Sequence, residues 1–281
     1  MTSVNAVISS KRNPIARHPL VSFFTFAIAF GWLIALPSLL LDLPFKPFQT
    51  VGAYGPLLAA VIVTAAQGGE AVKAFMRRVT NFRFGFGWYL LATFGYVVLY
   101  LLVAGLSGAP LRQSLTENGS LIITTYLPAM FSVYLLNAIG EEVGWTGFAL
   151  NHLQTRFRPW LAAAVLGVLI AVWHLPAYFV PSEMGAFNLV GFIIFTLQVV
   201  LTRMIWTWAT NHAQGSAVIA ILLHASSNAV SLALIPQLLP APTPDQLAQS
   251  GLILLGLLLV TATVLVVVTR GRLGYPSNPT D

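Results

Sequence analysis

Two adjacent carboxylates, Glu141 and Glu142, stand inside the apolar run L-L-N-A-I-G-E-E-V-G-W-T-G-F-A-L. The chain has only 8 acidic residues in 281. An ionisable group within a membrane-spanning segment is costly and marks a functional site by default. His174 in V-W-H-L-P, and His224 and Asn228 in L-L-H-A-S-S-N, are the partners that the sequence offers. Residues four apart share a helix face, so Glu142 looks the same way as Thr146, and His224 the same way as Asn228. Glu141 points about 100° from Glu142, which lets one carboxylate face a cavity while its neighbour turns into the protein. Pro176 frees a backbone carbonyl one turn back, and such a kink makes room for water near His174.

These groups suit hydrolysis. A glutamate polarises a water, a histidine shares the proton, and an amide stabilises an oxyanion. Alternatively, Glu142, His174 and His224 hold a zinc ion that acidifies its bound water. Spacing does not choose between the two schemes, so the cofactor is either Zn2+ or none. H-E-x-x-H is missing, which excludes a conventional zincin. With no cysteine there is no thiol nucleophile, disulfide or Cys-based metal site.

The elements that must position these groups are membrane helices. Apolar residues make up 57% of the chain and charged residues 8%, against roughly 25% charged in a soluble domain. The expected fold is all-α, a polytopic bundle of about eight transmembrane helices forming a single membrane domain over 1–281. Candidate spans are 20–41, 50–68, 86–106, 121–150, 160–179, 187–209, 216–236 and 249–269, mostly the roughly 20 residues needed to cross. The fourth is long, so it tilts or extends beyond the core.

Charge sets the orientation. Lys11, Arg12 and Arg17 precede the first span; Lys73, Arg77, Arg78 and Arg83 follow the second; Arg156 and Arg158 follow the fourth; Arg270 and Arg272 follow the eighth. The other side receives Lys46 and Arg112 with Asp42, Glu117, Glu183 and Asp245. The positive-inside rule then places both termini in the cytoplasm, with the cell membrane as the expected site and lipid as the surroundings. The net charge of +6 belongs to these loops and needs no nucleic-acid partner. The first segment is too long for a signal peptide and reads as an uncleaved helix. Residues 70–88 read either as an interfacial elbow, with arginines towards phosphates and aromatics towards acyl chains, or as a plain basic loop. Pro236–Asp245 marks an outer loop. Gly140, Gly144 and Gly147 suit close helix approach. Trp145 and Trp173 suit packing, His152 a solvated site, and His18 and His212 the interface. Counting rise per residue puts His224 and Glu141 about 12–13 Å from their helix ends and His174 about 20 Å or more, a mismatch that tilt or a late helix start must close.

The order E-E-V-G-W-T-G-F-A-L, V-W-H-L-P, A-I-L-L-H-A-S-S-N resembles the CPBP family of intramembrane proteases, which includes CAAX prenyl endopeptidases and bacterial Abi proteins. The resemblance covers residues 121–233, read as the catalytic core. It implies an intramembrane endopeptidase that hydrolyses a peptide bond of a peptide or protein substrate near the cytoplasmic face. By match, Glu141 is the water-activating glutamate and Glu142 its companion. His174 is the second-motif histidine, and His224 and Asn228 form the third motif. Family members are described both as metalloproteases and as metal-free glutamate enzymes.

Two positions depart from the family pattern. The second-motif Phe is Ile170, a packing change. The first-motif Arg is Thr146, which supplies a hydroxyl and no charge. The expectation is that Arg203, in the sixth span, fills the cationic role beside the glutamates. The alternative is a catalytically impaired member acting as a membrane scaffold or immunity protein. A transporter using the glutamates as proton carriers predicts related halves with broken helices, and no such repeat is visible.

Overall fold

The computed structural model describes residues 13–41, 43–180, 188–239 and 242–276; Lys11, Arg12, Asp42, Glu183 and residues 240–241 of the outer loop lie outside them. The described residues form an all-α polytopic membrane bundle. Among the described residues seven helices are long and apolar enough to cross, or eight when one bent pair counts as a single span. We name α1 (Pro19–Leu40), α2 (Phe45–Gln67, with a turn at Ala53 and Tyr54), α3 (the charged Gly69–Val79), α4 (Phe86–Leu106), and α5 (the pair Ile122–Ser132 and Leu135–Gln154). They are followed by α6 (Pro159–Phe179), α7 (Leu189–His212), α8 (Ala217–Leu238) and α9 (Pro244–Val268).

Local signals mark the helix ends. Proline occupies the first turn of α1, α6 and α9, where its missing N–H costs nothing. Asn188 and Ser216 cap α7 and α8 through their side chains, and Thr243 with Gln246 makes a capping box at α9. The regular helix of α6 ends at His174 and continues as a tighter turn over Leu175–Phe179, as expected where Pro176 cannot donate. The two segments of α5 meet at 43°. Wider π-type turns run over Ile122–Tyr126, Met130–Tyr134 and Trp145–Leu150, so the long fourth span accommodates its length by bending and by locally underwound turns.

Helix α8 is the most enclosed span, and α7 and α9 the least. α1 packs on α2, α2 on α5, α5 on α8, α8 on α4, α6 on α7, and α7 on α9. Two glycines bring α5 against the broken middle of α2. A Cβ on Gly140 would meet the Ala53 carbonyl at 2.7 Å, and one on Gly144 would collide with the Pro56 backbone. On α6, a Cβ on Gly167 would sit 2.7 Å from Val200 Cα. With α6 seated on α7, His174 packs edge-on to Phe195 at 5.2 Å. Trp145 and Trp173 belong to an aromatic cluster with Phe23, Phe24 and Phe148.

The segment after α2 folds as an amphipathic helix, but its inward aromatic turns to protein rather than lipid. Phe75 is buried in the core that holds Trp145 and Phe148, while Lys73 and Arg77 are exposed. Arg78 Nε donates to the Gly147 carbonyl at 3.0 Å, tying α3 to the end of α5. Burial, with Arg77 adding repulsion, pushes the Arg78 guanidinium below its ordinary range. His152 is half-buried rather than fully solvated: it stacks on Phe148 at 4.1 Å and bonds the Phe148 carbonyl through Nδ1.

The depth mismatch closes in two ways. α5 runs on to Gln154, which puts Glu141 about 20 Å from its end. α8 begins inside the protein: Ser216 is fully buried and donates to the Asn81 carbonyl at 2.6 Å. A start enclosed by protein leaves His224 beside groups that lie further along their own helices.

Candidate active site

The two glutamates face different surroundings. Glu142 is 0% exposed, and three helices saturate its oxygens. Arg203 of α7 grips both: Nη1 donates to Oε2 at 2.7 Å, and Nη2 donates to Oε1. Thr146, one turn along α5, donates to Oε2 at 2.6 Å. His224 of α8 places Nδ1 2.9 Å from Oε1. Burying two charges costs several kcal/mol per ion unless their remaining donors and acceptors are satisfied; here the carboxylate has a guanidinium, a hydroxyl and an imidazole. Arg203 itself lies 4.6 Å over the Trp206 ring, a face that attracts cations.

Glu141 turns the other way. It is 7% exposed, and its Oε2 is buried with no hydrogen-bond partner among the described residues. It lines a cavity of about 200 Å³ together with His174, His224, Asn228, Arg203 and Gln198. Glu141 and His174 also line a second, smaller chamber of about 50 Å³ on the α1–α2 side, so the pair stands at the junction of the two. The Glu141 carboxylate is within electrostatic range of both imidazoles.

The histidines are oriented by their Nδ1 atoms. His174 Nδ1 lies 2.9 Å from the Ile170 carbonyl. A carbonyl can only accept, so Nδ1 carries the proton and Nε2 keeps its lone pair in the neutral ring. His224 Nδ1 is taken by Glu142, which leaves Nε2 for the cavity. A carboxylate holding Nδ1 so that Nε2 can work is the arrangement used wherever an imidazole must be kept in one tautomer and orientation.

Glu141, His174, His224 and Asn228 thus share one cavity, while Glu142 and Thr146 lie behind it and Arg203 reaches from its wall to Glu142. Asn137 does not line that cavity. The zinc set Glu142, His174 and His224 does not fit this arrangement. Both Glu142 oxygens are committed to Arg203, with Thr146 and His224 adding to them, and a guanidinium already supplies the positive charge. Among the described residues no three His, Cys, Asp or Glu side chains converge to hold a metal ion.

Among the cavity residues not singled out from the sequence are Gln198 and Thr202 on α7, Tyr96 on α4, and Trp206, whose Nε1 donates to Tyr96 Oη at 2.8 Å. Gln198 and Thr202 carry a readable signal, a polar pair four apart in an apolar span and adjacent to Arg203. Tyr96 and Trp206 carry none, because aromatic residues in a span most often pack.

The fold is that of a multi-pass α-helical membrane protein, and its interior holds a cluster of two carboxylates, two imidazoles, a guanidinium and an amide. Residues 123–230 match the family described as Type II CAAX prenyl endopeptidase Rce1-like. The chain is also similar to CAAX prenyl protease 2 of Methanococcus maripaludis, 26% identical over 200 residues that cover 68% of this chain and 69% of the relative. Both findings support the CPBP/CAAX protease family of intramembrane endopeptidases, the family that the three motifs resemble.

Proposed function

We propose that this protein is an intramembrane endopeptidase whose hydrolytic water is activated by Glu141. The observation that carries the reading is the buried, unpartnered Oε2 of Glu141 in a cavity shared with two histidines and an asparagine. An acceptor held away from every protein donor retains its capacity for a water, and leaving it unmet costs about 1–3 kcal/mol or more.

In this scheme a water donates one hydrogen to Glu141 and the other to His174 Nε2, which the Ile170 carbonyl keeps free to accept. Glu141 removes a proton, and the hydroxide adds to the scissile carbonyl carbon. The tetrahedral oxyanion receives hydrogen bonds from the Asn228 amide and from Nε2–H of protonated His224, whose charge Glu142 balances at Nδ1. The C–N bond then breaks, the proton on Glu141 passes to the leaving nitrogen, and a carboxyl and an amine product result. Arg203 and Thr146 are positioning residues, acting through Glu142. No step uses a metal. With Glu141, Arg203, Glu142 and protonated His224 counted together, the buried charges cancel, which favours this assignment in a low-dielectric interior.

The Arg203–Glu142 pair also supports turnover over the scaffold or immunity reading, since it provides the guanidinium that Thr146 lacks. In this reading both termini face the cytoplasm, which the distribution of basic loops supports, and the substrate is a peptide or protein segment delivered within the cell membrane. The test is Glu141→Gln with a membrane-embedded model peptide in proteoliposomes. Loss of cleavage by 10²–10⁴-fold is expected for removal of a general base; unchanged cleavage removes the assignment.

A further inference from the structure

Glu141 Oε2 and Trp173 Nε1 are both buried with no hydrogen-bond partner among the described residues. An ionised carboxylate can only accept and an indole N–H can only donate, so the two are complementary. Both residues line the chamber of about 50 Å³ on the α1–α2 side. Trp173 is 8% exposed and Glu141 7%, so neither group is met by bulk solvent. His174, with Nε2 as its free acceptor, lines the same chamber, and the exposed Gln49 stands on its wall.

Small residues bring the indole edge to this chamber. A Cβ on Gly31 of α1 would fall on Trp173 Nε1, and one on Gly52 of α2 would lie 3.9 Å from Gly31 Cα. Gly31, Gly52, Ala35 and Ala177 therefore line the chamber almost as bare backbone. The ring itself is held by packing, edge-on to Trp145 at 5.9 Å and to His174 at 4.7 Å. Trp32 Nε1 donates to the Val172 carbonyl at 3.2 Å, which ties α1 to α6 one residue before Trp173. A polar cavity holds a water once roughly 10–15 Å³ is free and two to four polar groups surround it. The chamber meets both conditions, with room for a few waters. The cavity of about 200 Å³ on the other side of Glu141 and His174 is the larger of the two, and there a peptide carbonyl has space.

We infer that Trp173 is a catalytic residue whose indole N–H donates to the oxygen of the attacking water, and that the α1–α2 chamber supplies this water. Glu141 and His174 take the two hydrogens, Trp173 takes one lone pair, and the other lone pair is left to attack. As the proton moves to Glu141, charge grows on the water oxygen and the indole bond becomes charge-assisted, roughly twice as strong as a neutral one. That bond is then stronger on the way to the transition state than in the ground state, which is the condition for accelerating the step. Nucleophile and substrate arrive from opposite sides of Glu141, so no water has to pass the bound peptide. The inference rests on Glu141 as the base.

The test uses the full chain. Benzothienylalanine in place of Trp173 keeps the bicyclic ring and puts sulfur where the N–H was; Trp173→Phe is the second variant. Each should lower kcat for the peptide in proteoliposomes by about fivefold to tenfold, the worth of one hydrogen bond, with KM within about twofold. Trp145 is the control, since its Nε1 is also buried and unpartnered among the described residues but it lines neither cavity. Benzothienylalanine there should leave kcat within about twofold. The second readout needs no turnover: in nitrogen-labelled protein the Trp173 indole N–H, assigned by its loss in the variants, should exchange with water about tenfold or more faster than that of Trp145. Equal protection of the two indoles would overturn the chamber as a water site, whatever Glu141 does. An unchanged kcat at position 173, or an equal fall at position 145, would overturn the role of Trp173 and leave Glu141 as the base. Cleavage retained by Glu141→Gln would remove the base, and this inference with it.

Discussion

Arg203 holds both carboxylate oxygens of Glu142 across 61 residues of sequence. That pair joins α5 to α7 beneath the cavity and, through Glu142 Oε1, fixes the ring of His224 on α8. One side chain thereby organises three helices, which explains how a chain with Thr146 at the motif arginine position can still present an oriented imidazole.

Arg203→Gln leaves a buried carboxylate without its cation, and removing one partner of such a pair costs about 3–5 kcal/mol. A large fall in Tm and loss of cleavage are expected together. The compensated variant Thr146→Arg/Arg203→Gln returns a guanidinium to Glu142 from its own helix, and should recover most of the Tm and a measurable part of the activity. A double variant no better than Arg203→Gln would show that the position of the cation, not its presence, is what matters.

The two glutamates should separate in a paired assay of stability and cleavage. Glu141→Gln alters a buried carboxylate whose Oε2 has no hydrogen-bond partner among the described residues, so Tm should hold or rise while cleavage falls. Glu142→Gln breaks the Arg203 pair and the His224 contact, so Tm should drop as well, reflecting a stability loss of about 3–5 kcal/mol for a broken buried pair. If both substitutions cost the same stability, the division into a working face and a positioning layer is wrong.

Gly140→Ala drives a methyl against the Ala53 carbonyl and should force α5 away from α2. Overpacking of this kind costs about 1–3 kcal/mol, and the displaced Glu141 should lower cleavage further than Tm alone accounts for. Gly256→Ala on α9 meets nothing within 4 Å and should be neutral or slightly stabilising through helix propensity, by up to about 1 kcal/mol. Thermal melts of both variants in one detergent make the comparison.

Dialysis of the purified protein against a strong chelator should leave cleavage within about twofold, since Glu142 is committed to Arg203, Thr146 and His224 and a metal would have to displace a bidentate charge-assisted pair. Loss of activity restored by zinc would overturn the metal-free scheme. Elemental analysis of the same sample identifies any carried metal.

The bundle was legible because lipid imposes a length and a composition on every crossing. The expected spans 20–41, 86–106 and 160–179 lie within a residue of α1, α4 and α6, and 187–209 and 216–236 within a few residues of α7 and α8. The ends of α2, α5 and α9 were less clear, because residues 45–49, 151–154 and 244–250 are too polar for a hydropathy window yet are helical in the folded protein, with a capping box at the start of α9. The identities of the candidate residues could also be read, since ionisable groups are rare enough in apolar runs to stand out.

What the sequence alone determined is therefore the class of fold and the short list of polar groups with chemistry. Tertiary structure decided which partner each one meets. Neighbours in sequence point about 100° apart on a helix, and nothing local says which of those directions is a cavity and which a cation. The seating of α5 on α2 at Gly140 and Gly144, and of α6 on α7 at Gly167, turned Glu141 towards open space and Glu142 towards Arg203.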